Sequence, residues 1–310
     1  MLGSDSPTLV PDESPMVRVS VPQADRLIGV RRPVLSHGFV ALVDYMGNDA
    51  AIVQAARVSY GQGTKSVRDD RGLLRYLMRH RHTTPFEMVE YKFLVRLPIF
   101  VARQWIRHRA SSTNEYSARY SIVPDEYEVP PPQEVRHQSA RNRQGRGDPL
   151  PPEVVERFRS DLDGISKEAY SAYTRALDAG VARETARLVL PVAYYTQWYW
   201  KSNLHNLFHF LSLRLDVHSQ EEIRLYAAEI AQLARVVCPI AFEAFDEFQV
   251  EALTLGQRER KAMRALLEGK SPTEACEQAG LPLTREDGKP MNTGEGVEFL
   301  EKLERIRKVE

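Results

Sequence analysis

Three features of the 310-residue chain predict an α+β fold, with one central, mainly antiparallel sheet flanked by helices and a helical layer in the second half. In "VEYKFLVRL", Val89, Tyr91, Phe93, Val95 and Leu97 fall on one face with mostly polar residues on the other, the pattern of a half-buried strand. "RGLLRYLMRHRH" (71–82) carries Leu73, Leu74, Leu77 and Met78 at helical spacing. From Glu153 to Phe248 the pattern is nearly all helical.

The elements follow in order. Residues 1–35 hold Pro7, Pro11, Pro15, Pro22 and Pro33 with few large apolar residues, which predicts a disordered N-terminal tail. Its acidic, Pro/Ser-rich start is unlike a signal peptide. "GFVALVDYMGND" (38–49) predicts a strand, a turn and a helix start. Pro98 suits the first turn of a helix, "PIFVARQWIRHR", expected to end near Arg109. Residues 124–152 are Pro-rich and basic and predict a long loop. Trp198, Tyr199 and Trp200 predict core or interface packing. Residues 251–310 predict a separate helical extension, so the expected organisation is a tail (1–35), a main domain (36–250) and that extension.

Composition narrows the function. Lys plus Arg equals Asp plus Glu at 42 each, which argues against a protein that coats nucleic acid or membrane. No apolar run is long enough for a membrane span. Cys238 and Cys276 form neither a disulfide framework nor a zinc spacing, which fits a reducing, cytoplasmic setting.

One stretch concentrates chemistry, "RHRASSTNEYSARY" from Arg107 to Tyr120. On the expected helix, Arg103 and Gln104 share a face with Arg107. The Ser, Thr and Asn that follow favour a turn with free backbone N–H groups. Guanidiniums offer paired donors that lysine lacks, so the cluster suits a phosphate together with a planar, carbonyl-bearing ring. A solvated basic helix end is the plain alternative. Further along, Asn203, Leu207, Phe210, Arg214 and His218 are spaced as one helical stripe.

"RHRASSTNEYSAR" matches the signature RHR, seven residues, Ser, any residue, Arg, and so resembles the flavin-dependent thymidylate synthase family. The similarity runs from about Gly38 to Phe248 through "HTTPFEMVEYKF", "ARLVLPVAYYTQWYW" and "LRLDVHSQEEI". The resemblance implies a catalytic domain over 36–250 that methylates dUMP to dTMP. It further implies FAD as cofactor, methylenetetrahydrofolate as carbon donor, NADPH as reductant, and a homotetramer with shared active sites.

Residue by residue, the resemblance places Gln104, Arg107, Glu115, Ser117, Arg119, Arg187 and Arg214 at the nucleotide, with Arg187 reaching in from a neighbouring subunit. It places His82, Thr84, Glu87, Arg107, His108, Arg109, Asn203, His205, His209 and His218 at the flavin. His205 and His209 stand where relatives can carry Arg and Asn. Arg214 and Ser117 are the candidate catalytic positions. Arg214 would stabilise charge on a uracil carbonyl when C5 becomes nucleophilic, and Ser117 lacks an evident activating base, which favours nucleotide binding. The i, i+4 pair His205/His209 has no third ligand at suitable spacing, so no metal is expected. No protein cysteine is needed for such a reaction, and Cys238 is read as packing. Two rivals remain open: a nucleotide- or RNA-binding protein that has lost catalysis, and an enzyme made bifunctional or regulated by its extension.

Overall fold

The computed structural model describes residues 18–58, 70–139 and 145–308, so the part of the expected tail before residue 18 lies outside the described residues. In chain order the elements are α1 (Pro22–Asp25), β1 (Arg32–Val34), β2 (Gly38–Met46), α2 (Asp49–Val58), α3 (Asp70–Arg79), α4 (Thr84–Glu87), β3 (Glu90–Pro98), α5 (Ile99–Trp105) and β4 (Ser112–Glu115). There follow β5 (Arg136–Gln138), β6 (Arg146–Pro149), α6 (Pro152–Asp178), α7 (Arg183–Ala186), β7 (Tyr195–Asn203), α8 (Leu204–Arg214), α9 (Glu221–Val237), α10 (Pro239–Phe245), α11 (Gln257–Leu267), α12 (Pro272–Ala279) and α13 (Glu295–Arg307).

The central sheet has the order β1-β2-β3-β7-β4, and every neighbouring pair is antiparallel. In β3 the alternation read from the sequence is the alternation of burial, with Tyr91, Phe93, Val95 and Leu97 inside. α9 packs across that inner face. Its Tyr226 hydroxyl donates to the Arg96 carbonyl at 2.7 Å, and the Tyr91 hydroxyl of β3 donates to the Ala234 carbonyl at 3.2 Å. Gly38 opens β2 beneath Tyr226, where an added Cβ would stand 1.9 Å from the Tyr226 oxygen. Only glycine allows that approach. The Asp49 carboxylate accepts from the Ile240 and Ala241 amides at 2.9 Å each, so the first turn of α2 caps the otherwise unpaired donors of α10. Burial raises the pKa of that carboxyl despite both bonds.

Three expectations are corrected. Residues 18–35 are not tail: α1 and β1 join the sheet layer, Ala24 and Val34 are buried, and the Tyr45 hydroxyl bonds Asp25 at 2.5 Å. The prolines misled because Pro22 begins a helix and Pro33 lies on an edge strand, where a missing N–H costs nothing. Residues 124–152 are not all loop: a 3-10 turn at Pro132–Glu134 and the β5–β6 ribbon occupy much of the span, while 140–144 lie outside the described residues. Arg146 pins the ribbon by pairing with Glu134 at 2.6 Å and Glu222 at 2.5 Å.

The third correction is β7, a strand inside the region expected to be helical. Trp198 and Trp200 face the core while Tyr199 and Lys201 face out. The aromatic run does pack the core, as expected, but from a pleated strand, the geometry that aromatic residues fit best. The extension forms three helices around its own cluster of Ala262, Ala265, Cys276, Phe299 and Leu303. Cys238 and Cys276 are both buried, and burial pushes both thiols up, consistent with packing roles.

Candidate active site

The site forms where α5, β4, β7 and α8 meet. α5 stops at Trp105, whose indole packs on Trp200 at 5.2 Å and Phe210 at 4.7 Å. The chain leaves the helix there rather than near Arg109, so Arg107 does not continue the face of Arg103 and Gln104. The reason lies downstream: Ser112 pairs with Lys201 of β7, which requires extended backbone within a few residues. The Ser111 hydroxyl donates to the His108 carbonyl at 2.9 Å and closes the turn between helix and strand. Part of the expected turn is therefore the edge strand β4, and a tighter turn follows it, with the Tyr120 amide donating to the Ser117 carbonyl at 3.1 Å.

α8 grows straight out of β7. The Asn203 side chain caps it by accepting the Asn206 amide at 2.9 Å. Arg214 closes the helix at the other end, and its Nε donates to His108 Nε2 at 2.9 Å. A guanidinium can only donate, so His108 Nε2 is the acceptor and, in the neutral ring, the proton sits on Nδ1. Burial, then the nearby Arg214 charge and His209, lower the His108 pKa to about 4, which keeps the ring neutral near pH 7. Burial also lowers the Arg214 pKa. Arg214 Nη2 donates more weakly to the Gln104 carbonyl at 3.4 Å.

Arg107, His108, Arg109, His209 and Arg214 thus line one cleft of 460 Å³, together with Ser111, Trp200, Ser202 and Asn206. This lies within the usual range for ligand clefts, about 300–1,000 Å³. Among the described residues the buried Trp200 Nε1 has no hydrogen-bond partner, an orphaned donor in a residue that lines the cleft. The other expected residues fall around this centre. Glu115 ends β4 and accepts from the Thr196 hydroxyl at 2.6 Å. Ser117 Oγ accepts the Arg119 amide at 3.3 Å, and the Arg119 guanidinium meets Glu184 of α7 at 3.0 Å. That pair is half exposed on both sides and holds weakly, about 0–1 kcal/mol. Arg187 lies exposed on the 3-10 turn Arg187–Val189 after α7, away from the cleft of its own chain.

His82, Thr84 and Glu87 sit on and just before α4, which packs against α8, and the His82 ring lies 5.9 Å from Tyr76. His205 is in the first turn of α8. His218 departs from the expected stripe. α8 ends at Arg214, and His218 lies beyond it against Asp216 at 2.8 Å, lining a different cleft. Sequence reading missed Asn206, Ser111 and Thr196. Asn206 stands three residues from both Asn203 and His209, so the helical spacing itself pointed to it. Nothing local marks Thr196, which touches Glu115 only through the β4–β7 pairing.

The geometry defines a cationic, hydroxyl-edged cleft beside a sheet, suited to anionic ligands with planar rings. The family model described as thymidylate synthase complementing protein matches residues 41–240. The chain belongs to that family. It is similar to the flavin-dependent thymidylate synthase of Ruegeria pomeroyi, at 50% identity over 272 residues, covering 86% of this chain and 89% of that protein. The protein of the same description from Dictyostelium discoideum is 53% identical over 239 residues, covering 74% of this chain and 78% of its own. Among solved structures, the UMP/dUMP methylase PolB from Streptomyces cacaoi, bound with 5-Br dUMP, matches with a TM-score of 0.64 at 37% identity. That match covers 71% of this chain and 99% of the other. Among the described residues no helix is long and apolar enough to cross a membrane.

Proposed function

We propose that the chain is a flavin-dependent thymidylate synthase that converts dUMP to dTMP, with methylenetetrahydrofolate as carbon donor and NADPH as reductant through FAD. The observation that carries this reading is the meeting of Arg107, Arg109 and Arg214 with a neutral His108 in one cleft. FAD fits the donor set: guanidiniums for its phosphates, the Asn206 amide and Ser111 hydroxyl for polar edges, and the orphaned Trp200 Nε1 nearby. When bound, FAD supplies the hydride-carrying chemistry.

The protein's own side chains bind and orient. Arg107, Arg109, His108 and His209 hold the flavin side, with His82, Thr84, Glu87, Asn203 and His205 extending it along α4 and α8. Gln104, Glu115, Ser117 and Arg119 hold the nucleotide, with Arg214 beside the pyrimidine, where it stabilises charge developing on a carbonyl oxygen. Arg119 exchanges Glu184 for the nucleotide phosphate, a favourable swap because the existing pair is weak. Ser117 serves as a binding hydroxyl.

A homotetramer with shared sites accords with Arg187 standing exposed and away from its own cleft. It also accords with the apolar surface beside it, where Leu188 is 76% and Val192 59% exposed. The reading is tested by an absorbance spectrum of the purified protein before and after adding dUMP and NADPH. An oxidised-flavin band that bleaches with NADPH, faster with dUMP present, is expected. A protein that carries no flavin and takes up none from added FAD overturns the assignment in favour of a nucleotide-binding protein without catalysis.

A further inference from the structure

β4 is the outermost strand of the central sheet, and its Thr113 and Glu115 stand directly opposite Trp200 and Trp198 of β7. Residues opposite one another share a face of the sheet. The face of Trp198 and Trp200 is the core side, from which Trp200 and Ser202 line the cleft of 460 Å³. Glu115 therefore places a carboxylate on the cleft side of an edge strand.

A charge turned inward at a sheet edge can serve only to discourage pairing with another chain, but such a charge needs no partner. Glu115 has one. The inward residues of β7 are Thr196, Trp198, Trp200 and Ser202, all buried. Thr196, diagonal to Glu115, is 7% exposed and donates its hydroxyl to Glu115 Oε1 at 2.6 Å. A hydroxyl bonded to an ionised carboxylate makes one of the stronger hydrogen bonds of a protein. Threonine is stiff at χ1, so the strand itself fixes the donor. Glu115 Oε2, by contrast, accepts no hydrogen bond among the described residues, and no cation pairs with the carboxylate there. The strand is held one residue further, where the Tyr116 amide donates to the Gln197 carbonyl at 2.8 Å. One carboxylate oxygen is thus anchored from the core and the other is presented.

We propose that Thr196 is a positioning residue for the nucleotide site, anchoring one oxygen of Glu115 so that the other faces the sugar of the bound nucleotide. This rests on the functional reading above, in which Glu115, Ser117 and Arg119 hold dUMP. A carboxylate can only accept, and dUMP offers two donors, the 3′-hydroxyl of its sugar and the N3–H of its base. Arg119, four residues after Glu115, takes the phosphate, and the sugar is the part of the nucleotide next to the phosphate. The 3′-hydroxyl is therefore the donor that Glu115 meets. Without its anchor the carboxylate turns among its staggered positions, and only a fraction of them face the sugar.

The test is calorimetric titration of the full-length, flavin-loaded protein with dUMP and, separately, with 2′,3′-dideoxyuridine monophosphate, which lacks the 3′-hydroxyl. The unaltered chain is compared with Thr196→Val, which keeps the shape and removes the donor, with Thr196→Ala, which cannot overpack the site, and with Thr196→Ser, which keeps the donor. Flavin content and steady-state kinetics in dUMP are recorded alongside. The unaltered chain should prefer dUMP by tenfold or more. The valine and alanine variants should lose about tenfold in dUMP affinity while their affinity for the dideoxy nucleotide stays within twofold, so the preference collapses. KM for dUMP should rise with kcat largely retained, and the serine variant should recover most of the loss. An equal loss for both nucleotides marks a merely structural threonine and overturns the assignment. So does dUMP affinity within twofold of the unaltered chain in the valine and alanine variants, or an unaltered chain indifferent to the 3′-hydroxyl. An unaltered chain that binds neither nucleotide and no flavin marks instead a failure of the underlying functional reading, and the role of Thr196 falls with it.

Discussion

Replacing His108 with leucine removes the acceptor that holds Arg214 without emptying the space the ring fills. The bond at stake is the 2.9 Å contact from Arg214 Nε to His108 Nε2, made by a charged donor that is partly buried. Such hydrogen bonds contribute about 1.5–3 kcal/mol. The remaining contact of Arg214, to the Gln104 carbonyl, is 3.4 Å long and too weak to fix the guanidinium alone. At about 1.4 kcal/mol per tenfold in rate, kcat/KM for dUMP should fall by roughly ten- to a hundredfold in His108→Leu. His108→Gln, whose side-chain carbonyl offers an acceptor at similar reach, should recover most of the loss.

The measurement is steady-state kinetics in dUMP, with flavin content read from absorbance so that a loss of cofactor is not mistaken for a loss of alignment. The ring must also stay neutral to accept. Its pKa in the folded chain is about 4, below the ordinary 6.5, so between these values the unfolded chain binds a proton that the folded chain refuses. The stability contributed by His108 is therefore complete above about pH 6.5 and is lost as pH falls towards 4. His108→Leu should lack that acid-side loss. Equal activity in the leucine and glutamine variants, or a leucine variant within twofold of the parent, refutes the positioning role.

Other expectations follow from the same geometry. Gly38→Ala sets a Cβ 1.9 Å from the Tyr226 oxygen and 2.6 Å from the Val34 carbonyl. It should cost about 2–4 kcal/mol in chemical denaturation, from overpacking and a lost hydrogen bond, and an unchanged midpoint would contradict the close approach. Asp49→Ala strips two amides of α10 of their acceptor and should cost about 2–4 kcal/mol, with Asp49→Asn losing less because one acceptor remains; equal losses would show that capping is not its role. Ser117→Ala should raise KM for dUMP and leave measurable kcat. Complete inactivity at saturating dUMP would make the hydroxyl a nucleophile instead.

The parts of this fold that were legible in the sequence are those where one period dominates. β3 declares itself because the buried Tyr91, Phe93, Val95 and Leu97 stand two apart, with Lys92 and Arg96 among the residues between them, and α3 because its four buried residues share one stripe. β7 was hidden because the unbroken run Trp198-Tyr199-Trp200 masks its period of two, and helices flank it on both sides. The end of α5 was hidden because Arg107-His108-Arg109 is compatible with a helix, and only the pairing of Ser112 with Lys201, three residues further on, forbids one. In the site, Arg107, His108 and Arg109 were legible from the signature, while most of the remaining cleft lining comes from β7 and α8 and the wiring of the cleft was not legible. The bond between Arg214 and His108 joins residues over a hundred positions apart, and no local pattern encodes it.

The sheet order has a consequence for how the molecule is made. β3 pairs along its whole length with β7, yet Phe93 waits for Trp200, which leaves the ribosome more than a hundred residues later. Until then the growing chain can hold only the β1–β2–β3 meander, whose inner face of Tyr91, Phe93 and Val95 has neither its neighbouring strand nor α9 to cover it. Long-range pairing of this kind slows folding and leaves apolar surface open to misassociation. The nascent first half is thus the vulnerable stage of biogenesis, and β4, which lies within the seven-residue spacer of the signature, can dock only after β7 has arrived.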